Sequence, residues 1–369
     1  METPRPYRVL SISGGGMRGL YAARYLSYLG EQAKKRLATT EIDIGKAFDM
    51  IVGTSTGAII ACALAKGTSM SEVVKLYREH GRDIFPCPVP RTLCSGLWDI
   101  VLSRRREVAL ARGARALEAQ LRATFGDETL KQVYQRRHVA LEITSVDMIK
   151  HGVRVFKTPH QTRINPRDSN YSLVDVCLAS TAAPIFRSLA AIQDPDDPAV
   201  FKVYADGGLY ANNPIMIALI DSLEAANPQQ PIEIFSLGTC RPQPGEIINQ
   251  KNVHRTLPGW WFGALAAELS INSQDAHVEK MPEQLFRYLG KHLGDNRLKV
   301  TVIPFPRNES IPAALSTLVG LDNTDEAALS ALVQWADLDA EMALNACAHS
   351  NDAKYEPLKR MMADARSSE

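Results

Sequence analysis

Long hydrophobic runs, paired cysteines and a dominant charge are all missing from this chain of 369 residues. No uninterrupted apolar stretch reaches the roughly 20 residues that a bilayer-spanning helix needs. Lys and Arg total 42 against 41 Asp and Glu, a net charge of +1. That balance leaves no electrostatic footprint for DNA or RNA and no bulk attraction to anionic membrane, so any lipid contact has to come from a local surface. The six cysteines (Cys62, Cys87, Cys94, Cys177, Cys240 and Cys347) are scattered, with no spacing of a metal site or a redox pair. Cys62 and Cys177 stand inside apolar runs and read as buried free thiols. Met1 to Tyr7 is short and polar, without the basic and apolar regions of a secretory leader. No repeat, low-complexity tract or composition break marks a linker. The expectation is a soluble cytoplasmic protein, one domain with insertions over residues 1–369.

What is present is strand, turn and helix in repetition. Arg8–Ser13 is a short apolar run ending in Gly14-Gly15-Gly16, and apolar residues at helical spacing follow from Leu20 to Leu37. Phe48–Val52 is a second strand, stopped by Gly53, and the small apolar residues Ala58–Ala65 read as a helix packed on a sheet. The pattern predicts an α/β fold, with a central, mostly parallel sheet flanked by helices. Further strands are expected at His138–Val146, Val153–Lys157, Phe201–Ala205, Ile232–Leu237 and Leu298–Ile303. Helices are expected at Ala109–Thr124, Leu173–Ala179, Trp260–Leu269 and Ala327–Ala346. Residues 84–107 break the pattern with prolines, Trp98 and the run Arg104-Arg105-Arg106, which suggests an irregular excursion or lid.

Three segments carry chemistry. In Gly53-Thr54-Ser55-Thr56-Gly57, between a strand and a helix, flanking glycines let a serine project from a sharp turn. The helix that follows points its positive end at a developing oxyanion. The alternative is a glycine-rich structural turn with a solvated serine. In Gly14-Gly15-Gly16-Met17-Arg18-Gly19, consecutive glycines leave backbone N–H groups unobstructed, as an oxyanion hole requires, with Arg18 helping to hold the loop. Positions 14, 16 and 19 also fit the dinucleotide fingerprint, but that reading needs an acidic residue at the end of the next strand, where Val52 and the serine turn stand. In Asp206-Gly207-Gly208, followed by Asn212-Asn213-Pro214, an aspartate ends a strand; alone, this is an ordinary Asp-Gly turn.

A serine hydroxyl is unreactive until a neighbour accepts its proton. The order Ser55, Asp206 and then His254 or His277 would fit an α/β-hydrolase triad. None of the eight histidines stands in a glycine-rich or strand-end turn, however, and a serine–aspartate dyad needs fewer assumptions. For lipid contact, Phe85, Val89, Leu93, Leu97 and Trp98 could form an interfacial lid or pack on their own protein. The arginine run could meet lipid phosphates or be an ordinary solvated face, and Trp260-Trp261-Phe262 could be a membrane contact or core.

Taken in order, the three segments resemble the patatin-like phospholipases, and Ala179-Ser180-Thr181-Ala182-Ala183-Pro184 is similar to a further block of that family. The resemblance covers about residues 8–240; residues 241–369 match no motif and read as a largely helical C-terminal extension. It implies a three-layer patatin-like fold and hydrolysis of lipid esters with neither metal nor cofactor. By position it makes Ser55 the nucleophile, Gly53 and Gly57 the elbow around it, Asp206 the base, and Gly14, Gly15, Gly16 and Arg18 the oxyanion loop. The opening Ser11–Leu20 is also similar to the bacterial patatin-like effectors of anti-phage CBASS signalling, phospholipases switched on by a cyclic dinucleotide. That resemblance implies a phospholipid membrane as substrate, met at the inner face of the cell membrane, and a cyclic dinucleotide as activator. A homo-oligomeric state stays open.

Overall fold

A computed structural model of the chain describes residues 5–37, 42–89, 103–161, 167–228, 230–240, 248, 250, 253–256, 258–293, 299–306, 318, 320–350 and 352–365. Among these residues eight strands build one sheet: β1 (Tyr7–Ile12), β2 (Met50–Gly53), β3 (Ala140–Asp147), β4 (Gly152–Lys157), β5 (Ala190–Asp194), β6 (Asp197–Asp206), β7 (Ile232–Leu237) and β8 (Val300–Phe305). Their order is β5, β6, β3, β2, β1, β7, β8, with β4 also paired to β3. From β3 to β8 the neighbours run parallel, while β4, β5 and β6 are antiparallel. The sheet is thus mixed, parallel through its centre and antiparallel at one side.

Alternation along the central strands divides the core into two layers. Leu10, Ile12, Ile51, Leu141 and Ile143 face one side, where they meet α1 (Gly19–Leu37), α2 (Thr56–Lys66) and α3 (Met70–Ile84). Val9, Met50, Val52 and Ala140 face the other, against Ile215, Ala218 and Leu219 of α8 (Ile215–Ala225). The intervening helices in chain order are α4 (Ser103–Phe125), α5 (Leu130–Arg137), α6 (Leu173–Ser180) and α7 (Gly208–Ala211). Helix, sheet and helix make the three layers. Cys62 and Cys177 are buried free thiols within them.

The C-terminal region joins this core. Following α9 (Ala264–Val278) and α10 (Met281–Leu293), β8 adds to the sheet beside β7, with Ile232 opposite Val300 and Leu237 opposite Phe305. The long α11 (Glu326–His349) then lies along α1 and buries Leu329, Leu332, Ala336 and Ala340. Polar contacts hold the pair in register: Arg24 Nε donates to Asp337 Oδ1 at 2.5 Å and Tyr28 OH to Glu341 Oε2 at 3.0 Å. A last helix, α12 (Glu356–Asp364), buries Leu358 and Met361.

The irregular excursion expected at 84–107 fails at its ends, where Ile84 closes α3 and Ser103 opens α4. Residues 90–102 (with Leu93, Leu97 and Trp98) lie outside the described residues, but 103–107 belong to α4. Phe85 and Val89 are buried in their own protein. Arg106 is half-buried, its Nη2 donating to Ile185 O at 3.1 Å, and Arg105 is exposed. The Trp261 and Phe262 side chains also lie outside the described residues. Among the described residues no helix is long and apolar enough to cross a membrane.

Candidate active site

The edge of β3 brings the site together. Its first half pairs with β2, ending at Gly53 opposite Ile143; its second half pairs with β6, beginning at Asp206 opposite Ser145. Two strands arriving from opposite directions therefore end on one edge of β3, two residues apart. Just past β2, Thr54 Oγ1 meets Thr144 Oγ1 at 2.7 Å. The next residue is Ser55, and its hydroxyl donates to Asp206 Oδ2 at 2.6 Å. The other carboxylate oxygen, Oδ1, accepts from the Gly208 amide at 2.7 Å.

Ser55 stands at φ 55 and ψ −124, a positive-φ conformation that side chains rarely adopt. The surroundings enforce it. Its amide donates to Ser180 Oγ at 2.8 Å, at the end of α6, and the turn closes so tightly that a Cβ on Gly57 would lie 2.5 Å from Ile12 O. A Cβ on Gly53 would likewise lie 2.5 Å from Gly57 O. The elbow glycines are thus required by backbone-to-backbone packing of β1, β2 and α2.

The glycine loop faces the same serine. The Gly14 amide is taken up by Asn212 O at 2.9 Å, while Gly15 and Gly16 have no acceptor for theirs among the described residues. Gly16 has φ +57 and lies beneath Leu321 O, which accepts from Met17 N at 2.7 Å. Arg18 is fully buried; its Nε donates to Gly15 O at 3.3 Å and its Nη2 to Asn272 Oδ1 of α9 at 3.0 Å. Thr239 Oγ1 steadies Gly14 O at 3.0 Å from the far side.

Ser55, Asp206, Gly15 and Gly16 open into one cleft walled mainly by apolar groups, among them Ile59, Leu76, Phe85, Leu117 and Phe186. Burial pushes the Asp206 carboxyl up to about 6, against the Ser55 hydrogen bond, the Gly208 amide and the Arg187 charge, which favour the ionised form. No histidine among the described residues lines the cleft. His254 is exposed, and the His277 side chain lies outside the described residues.

The profile of the family described as patatin-like phospholipase matches residues 10–219, more than half of the chain. The chain belongs to the patatin-like phospholipase family. Among curated relatives of this patatin-like chain, a cGAMP-activated phospholipase of Escherichia coli is 28% identical over 90% of this chain and 88% of its own. One of Pseudomonas aeruginosa with the same description is 28% identical over 97% and 93%. A cUMP-AMP-activated phospholipase of Escherichia coli is 29% identical over 76% and 78%.

Of the residues singled out in this patatin-like chain, Gly15, Gly16, Ser55 and Asp206 line the cleft, while Gly14, Arg18, Gly53 and Gly57 shape the backbone around them. Sequence reasoning missed three that support it. Ser180, quoted only as part of a block, holds the Ser55 amide, and Thr239 holds the glycine loop from beyond β7. Arg187 is buried in the cleft wall, three residues past Pro184, where nothing in its local sequence separates it from a surface arginine.

Proposed function

We propose that this patatin-like chain is a lipid acyl hydrolase that cleaves carboxylic esters of membrane phospholipids with a Ser55–Asp206 dyad, switched on by a cyclic dinucleotide. One observation carries the reading: the 2.6 Å hydrogen bond from Ser55 Oγ to Asp206 Oδ2, inside an apolar cleft that also holds two glycine amides with no acceptor among the described residues.

The chemistry runs in two steps. Asp206 takes the Ser55 proton as Oγ bonds to the ester carbonyl carbon, and the oxyanion sits against the Gly15 and Gly16 amides at the positive end of α2. The lipid alcohol leaves with the proton from Asp206, and the acyl group remains on Ser55. Water then attacks the acyl carbonyl, giving a proton to Asp206, and the fatty acid departs as the proton returns to Ser55. A carboxyl held at about 6 is a better base than an exposed one and is still ionised at neutral pH. The histidine-dependent alternative has no imidazole at the cleft among the described residues to support it.

Gating draws its support from relatives described as cGAMP-activated and cUMP-AMP-activated, matched over most of their length. The setting would be anti-phage defence, with the membrane of the cell itself as substrate. Phospholipid vesicles with cGAMP, with cUMP-AMP or with neither provide the test, alongside labelling by a fluorophosphonate. Fatty acid should appear with one of the nucleotides, and labelling should vanish in Ser55→Ala. Equal release in all lanes would remove the gating; release by Ser55→Ala would remove the dyad.

A further inference from the structure

Arg187 has no use in the mechanism above, although it lines the same cleft as Ser55 and Asp206. The residue is 8% exposed. Its Nη1 reaches one acceptor, Ile84 O, at a long 3.4 Å, and its guanidinium carbon lies 5.6 Å from the centre of the Phe85 ring. Its buried Nε has no hydrogen-bond partner among the described residues. No carboxylate among the described residues forms an ion pair with it; Asp206, at longer range, is the negative group it feels most. A guanidinium presents five donors in a planar fork, so most of its capacity to bind an anionic oxygen is unused here. Burial is costly enough to push its pKa down to about 10, which still leaves it charged at neutral pH.

A structural cation would be buried with its carboxylate, because an unpaired buried charge is costly. A charge kept beside Ile84, Phe85 and Phe186 without one is instead suited to an anion that arrives with the substrate, in surroundings where low polarity strengthens the attraction. A phospholipid carries such a group, a phosphodiester a few bonds from the ester that Ser55 would attack. We propose that Arg187 is the residue that recognises the phosphate of the substrate, selecting phospholipids over uncharged acyl esters. The inference rests on the hydrolase reading above and names the substrate class of that same cleft. Phosphate oxygens of the cyclic dinucleotide have the same chemistry, so the test has to separate the two sources.

Phosphatidylcholine and diacylglycerol with identical acyl chains differ in that phosphate headgroup, and both can be presented in the same nonionic micelles. The ratio of their kcat/KM values should fall about tenfold or more in Arg187→Gln, the loss expected for a charge-assisted hydrogen bond to substrate. Arg187→Lys keeps the charge but loses the fork and should fall between, and it carries the comparison if the glutamine variant does not fold. An equal loss on both lipids with a shifted pH profile would make Arg187 only a neighbour that tunes Asp206, and would overturn the proposal. So would an unaltered ratio accompanied by a higher half-maximal concentration of cGAMP, which would assign the anion site to the activator. Failure of the wild-type chain on both lipids, with and without cyclic dinucleotide, would instead remove the hydrolase reading itself.

Discussion

Ser145 of β3 lies opposite Asp206 of β6, and its hydroxyl sits within hydrogen-bonding distance of both Ala179 O, at 3.0 Å, and Ala205 O, at 2.9 Å. It thereby ties the end of the aspartate strand to the end of α6, the helix whose Ser180 holds the Ser55 amide. Ser145→Ala would remove the one proton that these two buried carbonyls share and should destabilise the fold by about 1–3 kcal/mol. Turnover should fall as well, because both ends of the Ser55–Asp206 contact loosen. Thermal melts and vesicle assays on one preparation check the pair of effects; a stable, fully active variant would contradict this role for Ser145.

Activity should rise with pH through about 6 and then level, since Asp206 accepts a proton only when ionised. Stability should move the other way. A carboxyl raised from 3.8 to about 6 binds its proton more tightly in the folded chain than in the unfolded one. The stabilisation is complete below about 4 and is lost as pH rises through about 6, a change of about 2–3 kcal/mol. Asp206→Asn should flatten that segment of the stability–pH curve while abolishing turnover. Denaturant titrations between pH 4 and 7 would read it.

Replacing His254 or His277 with alanine should leave turnover within about twofold of wild type, against a loss of about a thousandfold or more for Asp206→Asn. A histidine variant as inactive as the aspartate variant would reinstate a triad.

Gly16→Ala places a side chain at φ +57 and against Leu321 O, which moves the loop or the segment that caps it. The expected result is a drop in turnover of about a hundredfold, the loss typical of a displaced oxyanion donor, with substrate affinity less affected. Steady-state kinetics that instead changed KM alone would place Gly15 and Gly16 outside the reaction centre.

Much of this site was legible before the fold was. Gly53-Thr54-Ser55-Thr56-Gly57, the glycine loop at 14–19 and the Asp206 turn are local backbone devices, and such devices need particular residue types wherever they stand in a sequence. Buried parallel strands are equally open to reading, because both of their faces are apolar; Ile232–Leu237 was expected with those same ends. By contrast, Ala190–Asp194 buries only Ile192, pairs only at the edge of the sheet and carries no such signal. The basic run at 104–106 read as an irregular excursion because its charges hide a helix, whose apolar contacts lie further along α4 at Leu117 and Leu121.

By itself, then, the sequence determined which residues could act: a serine, an aspartate and a run of bare amides, each recognisable from its neighbours in the chain. Only the tertiary structure decided that they meet. Ser55 and Asp206 are 151 positions apart, and they meet because β2 and β6 end on the same edge of β3. The pKa of Asp206 and the burial of the Arg187 guanidinium, without a carboxylate partner among the described residues, belong to the tertiary level too, since both depend on what the rest of the chain places around a group.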